Sequence, residues 1–142
     1  MEYRMTRHDR LERWATVLED AKLANLTPFR DVELLPPGER DGLRIANSPL
    51  SLAYNDPVLR RAGLGSDRFG DGAAFFGLSR YQAHRVLCSC GYFGTMRASE
   101  VARRIRRLAA RDRLRDLLPK NPLPAFARWL SRVGPAAAAY RG

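Results

Sequence analysis

The sequence predicts a small all-α, single-domain bundle of about six or seven mostly short helices with a C-terminal helical hairpin. Three observations carry this. Apolar residues recur at helical spacing, while alternating apolar–polar runs are nearly absent. A capping side chain directly before proline occurs twice, in Asn47-Ser48-Pro49 and Asn55-Asp56-Pro57. The length, 142 residues with 45% hydrophobic, suits one packed core.

Residues 1–5 read as an N-terminal extension, because Met5 would serve equally well as a start. Thr6 can cap a helix from Arg7 to Lys22 that places Leu11, Trp14, Val17 and Leu18 on one face. Leu26-Thr27-Pro28-Phe29 ends it, and Arg30 to Leu35 reads as extended. Pro36-Pro37-Gly38 opens a short helix, with proline tolerated in the first turn. The helix after Ser48 presents Leu50, Ala53 and Tyr54; the one after Asp56 presents Val58, Leu59 and Ala62 and stops at Gly63. Gly63 to Gly72 reads as a turn region, since it lacks the Lys-Ser/Thr ending of a phosphate loop. Ala73 to Leu78 forms a short apolar helix end, and Ser79 caps a helix from Arg80 to about Ser89. Cys90 to Gly94 is its exit loop.

The longest helix starts at Thr95 or Ser99 and reaches toward Leu118. Its stripe of Ala98, Val101, Ile105, Leu108 and Ala109 is lost after Ala110. Leu114, Leu117 and Leu118 point nearly opposite, and Asp112 falls inside the stripe. A kink or break near Arg111 is therefore expected. Pro119 to Pro122 breaks the helix, and Leu123 to Val133 forms the hairpin's second arm. The expected organisation is a helical core at 6–95, a basic helix and hairpin at 96–133, and a flexible tail at 134–142.

The charge narrows the function. Lys+Arg number 25 against 15 Asp+Glu, a net charge of +10, and only Lys22 and Lys120 are lysines. A GC-rich coding sequence accounts for Arg over Lys, but not for the excess of Arg over acids. Arg97, Arg103, Arg104, Arg106, Arg107 and Arg111 gather on the predicted long helix. A planar guanidinium bonds phosphate in bidentate fashion, so nucleic acid or another polyanion is the expected partner. The competing reading is the solvated face of a core helix. A membrane surface fits less well, since the helix lacks bulky aromatics on its apolar side.

A second constellation is His84, Cys88 and Cys90. Positions i and i+4 share a helix face, so His84 and Cys88 could converge on zinc, with Cys90 folding back as a third ligand. His8, a carboxylate such as Asp71, water or a residue from a second copy would supply the fourth. The plainer reading puts Tyr81, His84, Leu87 and Cys88 on the buried face of their helix, and no cofactor is then expected. Thiol catalysis is disfavoured, because a helix C-terminus opposes a thiolate. A third function class is a protein adaptor that uses Phe126 and Trp129 of the hairpin. No Ser-His-Asp set, paired-carboxylate motif or nucleotide loop is visible, so a non-enzymatic protein is expected. The N-terminus lacks the apolar core of a signal peptide and no apolar run reaches the ~18–20 residues of a membrane span, so a cytoplasmic location is expected.

Overall fold

The computed structural model describes residues 4–117. Over that range the chain is all-α, with seven α-helices and one two-stranded ribbon. Two compact units divide between Asp112 and Arg113, and the account below concerns the first. The predicted arm from Leu123 to Val133, with Phe126 and Trp129, lies outside the described residues, as does the tail at 134–142.

Local signals set most helix starts. Helix α1 (Arg7–Asp20) opens with a full capping box: Thr6 accepts from the Asp9 N–H, and Asp9 accepts from the Thr6 N–H. Its buried face is Leu11, Trp14, Ala15 and Leu18. Helix α2 (Pro37–Asp41) carries proline in its first turn. Helices α3 (Pro49–Asn55) and α4 (Pro57–Ala62) start as expected, with Ser48 and Asp56 each accepting a backbone N–H three residues on. Gly63 ends α4 at φ +122°, a conformation that L side chains rarely adopt.

Helix α5 (Phe69–Phe75) begins inside the stretch expected to be a turn. Tertiary packing explains it. Gly72 lies directly against Leu50, where a Cβ would collide with the leucine side chain, so small residues let α5 approach α3. Arg30 to Leu35 is likewise not extended; Val32–Leu34 form a 3-10 turn that buries Val32. Helix α6 (Arg80–Leu87) has the Ser79/Gln82 capping box. It stops at Leu87 rather than Ser89, and Ser89–Gly91 form a second 3-10 turn.

The ribbon is short and non-local. Strand β1 (Asn25–Leu26) pairs antiparallel with β2 (Met96–Arg97), matching Asn25 to Arg97 and Leu26 to Met96. Arg97 thus lies on a strand, not on the long helix. Phe29 also bridges the α6 exit: its N–H donates to Leu87 O, and its carbonyl accepts from Ser89 N, both at 2.9 Å.

Helix α7 (Ala98–Leu117) is continuous, so the helix does not break near Arg111. Asp112 is tolerated within the stripe because it pairs with Arg7 of α1. Leu114 and Leu117 are exposed. Ala98, Val101, Ala102, Ile105, Leu108 and Ala109 join one core with Trp14, Phe29, Phe76 and Leu87. The basic helix therefore belongs to the same core as residues 6–95. At its centre Trp14 stacks on Phe76 at 4.0 Å, and its indole N–H donates to Pro49 O at 2.9 Å.

Candidate anion-binding groove and the histidine–cysteine pair

The arginines of α7 separate into two kinds. Arg104 and Arg106 are engaged within the protein. Arg104 donates to Arg85 O at 2.7 Å and to Glu100 at 3.1 Å, and its guanidinium lies 3.9 Å from the centre of the Tyr92 ring. Arg106 bonds Glu12, Glu19 and Thr16 and so ties α7 to α1. Arg97, Arg103, Arg107 and Arg111 are exposed, and their side chains make no hydrogen bond or ion pair among the described residues. Half-buried cations holding carboxylates or carbonyls are structural; exposed ones keep their full valence for a ligand.

A groove of about 290 Å³ runs between α6 and α7. Ser79, Tyr81, Gln82, Arg85 and Val86 line one side; Arg104, Arg107, Leu108 and Arg111 line the other. Among the described residues four guanidinium groups thus border one recess, and no carboxylate lines it. Tyr81 is 67% exposed, and its phenolic oxygen accepts from Arg85 at 3.3 Å. A second recess of about 450 Å³, on the far flank of α7, is lined by Glu19, Arg103, Arg106 and Arg107. Arg107 borders both. The sequence pointed to Arg107 and Arg111 but missed Tyr81 and Arg85. Their i,i+4 spacing on α6 was the available signal, obscured by assigning Tyr81 to the apolar face.

No family model matches the chain. No curated protein and no solved structure is similar to it.

The buried face of α6 is Ala83, Val86 and Leu87, not the Tyr81–His84 face. His84 is half-buried, and its Nδ1 lies 3.4 Å from Sγ of the exposed Cys90. Cys88 is 2% exposed beside the Phe29 bridge. Burial pushes its thiol up to about 12, reinforced by negative charge at Cys90 and Glu33. His84 and Cys90 are thus brought together, while Cys88 is a core residue. Among the described residues no three His, Cys, Asp or Glu side chains converge as a metal site would require. His8, a candidate fourth ligand, instead bonds Ala109 O through Nδ1 at 2.8 Å.

Among the described residues no helix is long and apolar enough to cross a membrane.

Proposed function

We propose that this protein is a non-enzymatic, cytoplasmic binding protein that holds a polyanion, nucleic acid foremost, in the α6–α7 groove. The observation that carries the reading is the pair Arg107 and Arg111. Both are exposed, and among the described residues both lack an internal partner and face a recess that no carboxylate lines. Arg85 adds positive charge at the same recess, and Arg104, paired with Glu100, forms part of its wall. The net charge of +10 supports the reading, since a basic protein gains both affinity and association rate toward phosphate.

Fluorescence anisotropy with labelled DNA and RNA at about 50 and 200 mM salt tests it. Binding is expected at the lower salt and is expected to weaken steeply at the higher. No binding at low salt, or binding indifferent to salt, refutes it.

A further inference from the structure

The ring of Tyr81 is the feature of the groove that charge alone does not explain. It stands two-thirds exposed on the first turn of α6, beside Arg107 and Arg111 rather than packed into the core. The Arg85 guanidinium lies over it, with Cζ 5.8 Å from the ring centre. A basic recess with an open aromatic ring offers two kinds of contact at once. Guanidinium groups take phosphates, and a ring face takes a planar base.

Resting on the polyanion reading above, we infer that the groove's ligand is single-stranded nucleic acid, with a base stacked on Tyr81 and adjoining phosphates on Arg107 and Arg111. Shape favours a single strand over a duplex. Proteins that read duplexes push a convex helix or ribbon into the nucleic-acid groove. Here the cations line a recess beside an exposed ring, and only an unpaired base can offer its face to that ring, since the bases of a duplex are stacked on one another. The recess, about 290 Å³, lies at the low end for a site that encloses a whole small molecule, ~300–1,000 Å³. It suits one unit of a longer chain. Arg107 and Arg111 are one helical turn apart, about 6 Å along the axis, a step comparable to successive phosphates of an extended strand. An acidic peptide would satisfy the arginines but leave the ring without a stacking partner.

The test compares four probes at low salt: a labelled mixed-sequence single strand, its duplex, inorganic polyphosphate and polyglutamate, the last two as competitors. Tyr81→Ala and Tyr81→Phe are measured beside the double variant Arg107→Ala/Arg111→Ala, with circular dichroism to verify folding. The single strand is expected to bind more tightly than the duplex. Tyr81→Ala is expected to weaken it about 5- to 100-fold while leaving polyphosphate competition unchanged, and Tyr81→Phe to retain binding. The double variant is expected to weaken both nucleic acid and polyphosphate. If Tyr81→Ala leaves the single strand unaffected, or the duplex or polyglutamate binds as well, the inference falls. Loss of binding in the double variant would then still uphold the broader polyanion reading. If no polyanion binds at all, both fall.

Discussion

Arg104 donates to the carbonyl of Arg85 at 2.7 Å and so fastens α7 to the last turn of α6. One cation thereby satisfies an acceptor at a helix C-terminus, covers the Tyr92 ring and fixes one wall of the groove. Gly91 leaves room for it: a Cβ there would come within 3.2 Å of Arg104 Nη1.

Arg104→Ala is therefore expected to destabilise the fold. Losing a charged hydrogen bond and a cation–ring contact should cost about 2 kcal/mol, read from urea denaturation midpoints. A loss below ~0.5 kcal/mol would show that the fastening contributes little.

Arg107→Ala and Arg111→Ala should behave in the opposite way. Both side chains are exposed and hold no internal partner among the described residues, so stability should stay within ~0.5 kcal/mol of the parent. A substantial drop in thermal midpoint would assign these arginines to the fold.

Asp56 predicts an acid-sensitive step. Arg13 bonds its carboxylate at 2.7 and 3.0 Å, and the Leu59 N–H adds a cap bond. The Arg13 hydrogen bond comes first in holding the Asp56 carboxyl below the usual carboxylate range, against burial, which raises it. Its folded value is thus depressed. The stabilisation is fully present above the unfolded value of about 3.9 and is lost as pH falls through the folded value. Asp56→Asn keeps a capping oxygen but removes the charge. It should be less stable than the parent at neutral pH, by about 1 kcal/mol because Arg13 is partly solvated, and the gap should close in strong acid. Stability–pH curves that remain parallel down to acid would refute the assignment.

The two thiols should differ sharply. Exposed Cys90 is expected to alkylate in the folded protein, whereas buried Cys88 should react only after unfolding. Mass spectrometry after iodoacetamide treatment, with and without denaturant, separates them. Equal labelling of both in the native protein would contradict the burial. With Cys88 in the core, zinc content should stay well below one equivalent in protein purified without tag or chelator. A full equivalent that disappears in Cys88→Ser would restore the metal reading.

Helix starts were legible because capping is local chemistry. Thr6 with Asp9, Ser48 before Pro49, Asp56 before Pro57 and Ser79 before Gln82 each act within four residues. Pairings between distant segments were not legible. Two-residue strands have no periodicity, and Asn25 meets Arg97 only once the core has formed. The glycine-dense start of α5 resembled a turn because its reason, close packing of Gly72 on Leu50, lies in another helix. The continuity of α7 past Ala110 has the same origin, since Arg7 accommodates Asp112 from α1. At the site, the α7 arginines were visible as a set, but which were committed to Glu12, Glu19, Glu100 and the Arg85 carbonyl required the fold.

The salt dependence of binding in Arg107→Ala/Arg111→Ala tests the central claim most directly. Each phosphate contact contributes roughly 0.7–0.9 to the slope of log affinity against log salt. Two contacts in the groove predict a slope shallower by about 1.4 to 1.8 than that of the parent protein. An unchanged slope, with the parent and the double variant binding equally well, would show that the polyanion does not occupy the α6–α7 groove.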